Sequence, residues 1–316
     1  MELMRYTSLD MARGFAIVLM LFFNAFSIFS YEPPTYLQHG VNNMMPADLI
    51  APLFEFILGA ALVISVNRRK ERGENIWKHV LKRAILLILL GMLLTYGASG
   101  LKELNWGVLQ ALGTGLVIAY LFVSLPVAWR AVSAFLILAV YALLLAYVPW
   151  IHHAVENGVH GGIIGSVSYS VIAIFGTVFG TWFYDKKEKL EMGFAAGALL
   201  IAISAILNFY VPFNSDTVST SFVMFSSGFA FLVSCGFYFM GETRKREIKL
   251  LSMFGRNALL LWISQYFVLY YPLVLLGMCC FFPSFTAIGP AVMMLFFYYV
   301  LADVLDWKKI RMPFYS

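Results

Sequence analysis

Charge is what this sequence most lacks. Only 12% of its 316 residues are Asp, Glu, Lys or Arg, against roughly 25% in soluble domains. Hydrophobic residues make up 61% and the mean hydropathy is +0.81, so a water-soluble fold is excluded and an integral membrane protein is expected. Cysteine is also scarce. The three, Cys235, Cys279 and Cys280, all lie in apolar runs, and their odd number argues against a disulfide framework. HExxH, HxxxH and CxxC spacings are missing, so no metal site is expected, and His152, His153 and His160 give only a weak hint of one. There is no phosphate-binding P-loop, no GxSxG and no kinase-type loop, and Gly161, Gly162 and Gly165 read as a flexible helix entry. Heptads, low-complexity tracts and long linkers are absent, which leaves a single membrane domain over 1–316. The first apolar run has no small-x-small cleavage pattern before Pro33 and reads as a retained span.

What is present is a succession of apolar runs, at about 14–30, 49–66, 84–98, 107–125, 131–149, 163–184, 193–212, 221–241, 257–277 and 287–305. Each approaches the ~20 residues that a helix needs to cross a bilayer. The fold class predicted is all-α: a polytopic helical bundle of about ten transmembrane helices. With the N-terminus in the cytoplasm and sides alternating, every one of the 22 lysines and arginines except Lys102 falls on the cytoplasmic side. Short cytoplasmic loops keep basic residues, so the split predicts both termini inside the cell. The opposite loops hold His39, His152, His153 and His160 with most of the loop Asn, Asp and Ser.

Several polar residues sit where lipid should surround them. Asn24 lies in the first run, as interhelical glue or as a substrate contact. Asp48, two residues after Pro46, opens the second run as a helix-start carboxylate or as the partner of a nearby base. Glu55 follows seven residues on, two turns along the same face. A carboxylate at that depth must be neutral, paired or facing a water-filled cavity. Between Asn24 and Asp48 runs a polar loop carrying Pro33, Pro34, His39, Asn42 and Asn43, either a solvated connector or a working site.

The ordered motifs then point to a family. RYTSLDMARG at 5–14, leading into Asn24, resembles the R-x-x-S-[IVL]-D-x-x-R-G start of the transmembrane acyltransferase superfamily. QHGVNNMMPADLIAPLFEFILGAAL at 38–62, LKRAILLILLGMLL at 81–94, WGVLQALG at 106–113, GGIIGSVSYSVIAIFGTVFG at 161–180, PFNSDTVSTSFV at 212–223 and FGRNALLLWI at 254–263 follow in the order of one branch. The chain resembles the heparan-α-glucosaminide N-acetyltransferase catalytic domain and its prokaryotic homologues. The resemblance implies a helical membrane bundle that takes acetyl-CoA from the cytosol and acetylates a sugar on the far side. By position, His39 stands for the family's active-site histidine, Asn24 and Asp48 for its neighbours, and Gln110, Asn214, Ser221 and Asn257 for interior polar positions. Departures are the 41–44 stretch after His39, Ala111 for an arginine, and Ser215 and Val218 for a lysine and a tryptophan.

A mechanism follows as an expectation. Histidine, with an ordinary pKa of about 6.5, can deprotonate an acceptor or take the acyl group itself. His39 is assigned that part, Asp48 orients its ring, and Asn24 donates to the developing oxyanion. Arg13, Arg68, Arg69 and Gln110 are candidates for the acetyl-CoA site, whereas Asn42, Asn43, Glu55, Asn214, Ser221 and Asn257 are candidates for acceptor binding or for lining a tunnel. The partners expected are acyl-CoA, a sugar or glycan, and the lipid bilayer of the cell membrane; a homodimer is compatible, and no nucleic acid is expected. The alternative is a proton-coupled transporter of a small polar solute built on Asp48 and Glu55.

Overall fold

The computed structural model describes residues 6–32, 34, 37–38, 40, 42–99, 102–277 and 281–310. Among these every regular element is helical. Nine helices among the described residues are long and apolar enough to cross a membrane, and a tenth apolar helix, Val108–Phe122, has 15 residues. In order they coincide with the ten runs of the sequence. The polytopic all-α bundle is therefore the architecture. The chain divides into two compact bodies, one of residues 1–40, 45–50 and 236–316, the other of residues 41–44 and 51–235.

The first body contains α1 (Thr7–Phe29) and residues 236–316, with α10 (Lys249–Arg256), α11 (Ala258–Gln265), α12 (Tyr271–Leu275) and α13 (Ser284–Trp307). Lipid tails are as apolar as leucine side chains, so membrane helices gain little from hydrophobicity against each other and associate through close backbone packing. Gly14 of α1 lies so near Leu251 of α10 that a Cβ there would strike the Leu251 carbonyl, and Gly255 bears likewise on the Asp10 carbonyl. The start motif of α1 therefore has a packing role. Its Ser8 donates through both its backbone N–H (3.1 Å) and its hydroxyl (3.0 Å) to Glu242 Oε1, placing a carboxylate at the positive end of α1. At the other end of α1, Ala25, Phe26 and Ile28 pack with Leu269, Ala287 and Ala291, and Leu37 of the following loop covers them.

The second body holds α2 (Ile50–Glu71, from Ala51 onward), α3 (Ile76–Ala98), α4 (Val108–Phe122), α5 (Val127–Tyr147), α6 (Pro149–Glu156), α7 (Gly162–Gly180), α8 (Leu190–Leu207) and most of α9 (Thr220–Tyr238). The axis is α7, buried almost throughout from Ser168 to Gly180. α2 lies on it backbone to backbone: a Cβ on Gly59 would meet the Ala173 carbonyl, and one on Gly176 the Phe56 carbonyl. Phe56 then packs its ring 5.5 Å from Phe179 and 4.9 Å from Phe231. Hydroxyls inside this core bond to carbonyls of their own helix, as Thr177 does to Ile174 (2.7 Å) and Ser227 to Val223 (2.7 Å), which is how a polar residue is tolerated in a buried helix.

Two basic features depart from simple loop charges. Arg130 is 6% exposed, and its guanidinium donates to the carbonyls of Leu125 (2.9 Å), Thr177 (3.1 Å) and Val123 and to the Thr181 hydroxyl (2.8 Å). It satisfies the open carbonyls at the ends of α4 and α7. Lys187, Lys245 and Lys309 hold left-handed backbone (φ 52°, 52° and 53°) just past the π-helical turns Thr181–Asp185 and Phe239–Thr243, which continue α7 and α9, and just past α13, the position usually given to glycine, where a cation also meets the negative end of the helix.

Candidate active site

Asp48 closes the loop that leads into α2. It lies in the short helical turn Pro46–Leu49 and is 4% exposed. One oxygen, Oδ2, accepts the backbone N–H of Gly40 (3.0 Å) and that of Met45 (3.0 Å). The carboxylate thus fixes both the residue that follows His39 and the start of the turn. His39 itself lies outside the described residues. Asn24 donates its Nδ2 to Gln265 Oε1 (2.9 Å), while Gln265 Nε2 donates to the Leu21 carbonyl (3.2 Å). The Leu21 carbonyl can only accept, so the glutamine's nitrogen faces it and its oxygen faces Asn24. One N–H of Asn24 is committed in this way, and its Oδ1 meets no donor among the described residues. Asn257, 2% exposed, stands at the junction of α10 and α11, where its carbonyl accepts the Leu261 N–H (2.9 Å).

In the second body Asn42 and Asn214 come together: Asn214 Nδ2 donates to Asn42 Oδ1 at 3.2 Å. Asn43 is exposed beside them. Ser221 is fully buried and bonds the Val211 carbonyl (2.6 Å) and the Ser219 hydroxyl (3.1 Å), so it braces the loop before α9. Gln110 is also fully buried. Its Nε2 donates to the Asn105 carbonyl (3.1 Å) and Thr95 Oγ1 (3.4 Å), and its Oε1 has no partner among the described residues. Glu55 has 0% exposure, and neither oxygen meets a donor among the described residues. Its carboxyl occupies the space where a Gly115 side chain would stand.

The cations proposed for the acetyl-CoA site have internal partners. Arg13 pairs with Asp10 at 3.4 Å. Arg69 and Arg72 flank Glu74, Arg72 at 3.7 Å, and Arg68 occupies the same last turn of α2. The Nε of Arg69 is buried and has no acceptor among the described residues. Sequence reasoning missed Gln265 and Glu242. Gln265 and Glu242 lie more than 230 positions from the residues they bond, and no local pattern signals such a contact.

Comparison with known proteins gives the chain a family. The family "Heparan-alpha-glucosaminide N-acetyltransferase, catalytic" matches residues 5–214, a stretch that includes the Asp48 turn, Asn42 and Asn214. The human heparan-alpha-glucosaminide N-acetyltransferase is 34% identical over 128 residues, which cover 37% of this chain and 19% of that protein. The mouse enzyme aligns with the same identity and coverage, so the aligned part reaches about one fifth of the length of these curated relatives. With about two thirds of its length matched, the chain belongs to the heparan-alpha-glucosaminide N-acetyltransferase catalytic-domain family.

Proposed function

We propose that this protein is a membrane acetyltransferase that moves an acetyl group from acetyl-CoA to an amine or hydroxyl of a sugar or glycan. The observation that carries the reading is the Asp48 carboxylate, bonded to the backbone of the residue next to His39 in a chain of this family. His39 takes the proton of the acceptor as its nitrogen or oxygen attacks the thioester carbonyl. The C–S bond then breaks, and the CoA thiolate leaves and is reprotonated. In the covalent variant the imidazole attacks first, CoA departs, and the acetyl group passes from His39 to the acceptor. Asp48 holds the loop and stabilises the imidazolium. Asn24 has one N–H bound to Gln265 and a second for the oxyanion, while its Oδ1, which meets no donor among the described residues, suits an acceptor N–H or O–H. The CoA phosphates meet the cations in the last turn of α2, Arg68 and Arg69. The loop of His39 faces away from the cytoplasm, in the cell membrane.

The test is acetyl transfer from labelled acetyl-CoA to methyl glucosaminide by the protein in liposomes. His39→Ala is expected to lower the rate at least 100-fold, the scale of general-base catalysis. Full activity in that variant would refute the assignment of His39. Label retained on the wild-type protein and absent from the variant selects the covalent route. Coupled uptake of a solute without label transfer would favour the transporter instead.

A further inference from the structure

The loop before α9 holds a backbone conformation that its sequence disfavours. Val218 is fully buried and has φ 51°, a left-handed geometry that is an outlier for a β-branched residue. Such strain persists only where its surroundings over-determine it, and it gathers at working sites. The surroundings here do so. The Val218 carbonyl accepts the Ser168 hydroxyl (2.9 Å), and the Thr217 carbonyl accepts the Tyr141 hydroxyl (2.7 Å). The Ser219 N–H reaches the Asn214 carbonyl (3.0 Å), and the Asn214 N–H reaches the Ser219 hydroxyl (3.1 Å). The Thr217 N–H donates to Asn214 Oδ1 (2.8 Å).

That last bond determines an orientation. A backbone N–H can only donate, so the Asn214 atom facing it is the oxygen. The nitrogen of the Asn214 amide must then face Asn42, 3.2 Å away, and Asn42 must answer with its oxygen. The remaining end of the Asn42 amide, its NH₂, is left without a partner among the described residues. Asn42 is exposed, with φ 59°, and stands three positions after His39. A rigid frame thus holds two N–H donors outward, three residues along the chain from the histidine assigned to catalysis. Such donors suit a hydroxyl, ring or carbonyl oxygen and repel an ammonium group.

We propose that Asn42 is a specificity-determining residue that donates a hydrogen bond to an oxygen of the sugar acceptor, and that Asn214 is the positioning residue that dictates which end of the Asn42 amide faces the sugar. The inference rests on the acetyltransferase reading and adds the chemistry of its acceptor subsite. Asn214→Asp keeps the oxygen that receives Thr217 N–H but turns a second oxygen toward Asn42. The Asn42 amide must then rotate and present its oxygen outward, although Asn42 itself is untouched.

The experiment uses the full chain in detergent with methyl glucosaminide and its 3-, 4- and 6-deoxy analogues. It measures equilibrium binding by calorimetry and label transfer from acetyl-CoA. Asn42→Ala and Asn214→Asp are both expected to weaken glucosaminide binding and raise its KM about tenfold, with kcat changed less. Both should also lose the wild-type preference for the parent sugar over one deoxy analogue, while the KM for acetyl-CoA stays put. Because Asn42 is exposed, Asn42→Ala gives a readable result even if Asn214→Asp fails to fold. Unchanged binding and unchanged deoxy discrimination in Asn42→Ala, with label transfer by the wild type, would overturn this inference alone. No transfer by the wild type to any of the sugars would overturn the acetyltransferase reading and this inference with it.

Discussion

Asp48 receives two backbone N–H groups on a single oxygen, and this separates its structural work from its charge. Asparagine can place its carbonyl oxygen in the same spot, so Asp48→Asn should keep the loop closed and hold stability within about 1 kcal/mol of wild type. It removes the charge that would stabilise an imidazolium, and transfer should fall at least 10-fold. Asp48→Ala should lose both activity and about 1–3 kcal/mol, since a buried and a half-buried donor lose their acceptor. Thermal unfolding and label transfer, measured together, read the difference. Full activity in Asp48→Asn would show that the loop needs the oxygen and the reaction does not need the charge. Glu55 presents the opposite case, a buried carboxyl with no donor on either oxygen among the described residues. Glu55→Gln should leave stability within about 1 kcal/mol, and Glu55→Leu should raise it, because an unsatisfied polar group is replaced by an apolar one. A folded Glu55→Leu that has lost transfer would instead place this side chain on the path of a ligand.

At the scale of helices, the RYTSLDMARG stretch changes its meaning. As a sequence it offers Arg13 either to the cofactor or to a structural ion pair with Asp10. In the fold Gly14 and Gly255 allow α1 and α10 to touch along their backbones, Ser8 anchors on Glu242, and Arg13 pairs with Asp10. Gly14→Ala should therefore destabilise by about 1–3 kcal/mol, the usual cost of overpacking, visible as a lowered thermal midpoint. A variant with an unchanged midpoint would show that α10 can retreat at no cost. The helices themselves were legible in advance, because an apolar run in a membrane has no other way to satisfy its backbone. The short fourth helix, Val108–Phe122, was legible as well, though it ends at Phe122, before the run does. The π-helical turns Thr181–Asp185 and Phe239–Thr243 were not, since they follow from how the last turn of each helix meets its neighbours.

For the whole molecule, the charge asymmetry makes a checkable statement about sidedness. In a background without native cysteines, a cysteine at Lys102 should react with an impermeant maleimide added outside intact cells. One at Lys78 should react only after permeabilisation. Labelling of both from outside would overturn the proposed orientation, and with it the assignment of the His39 loop to the outer side.

The number and order of the spans and the family were fixed by composition and motif order, which are one-dimensional properties. A bilayer demands apolar length, and that demand is met locally. The candidate site was only partly legible. Asp48 stood out because a carboxylate beside Pro46 at the head of an apolar run marks a helix start, and the bond to Gly40 lies only eight residues away. Asn42 and Asn214 could each be named as polar positions, but 172 residues separate them, and an amide shows nothing in sequence of which end it turns outward. That choice was made by the Thr217 N–H in a loop held by Ser168 and Tyr141. It belongs to the tertiary structure because hydrogen-bond direction depends on which groups meet in space.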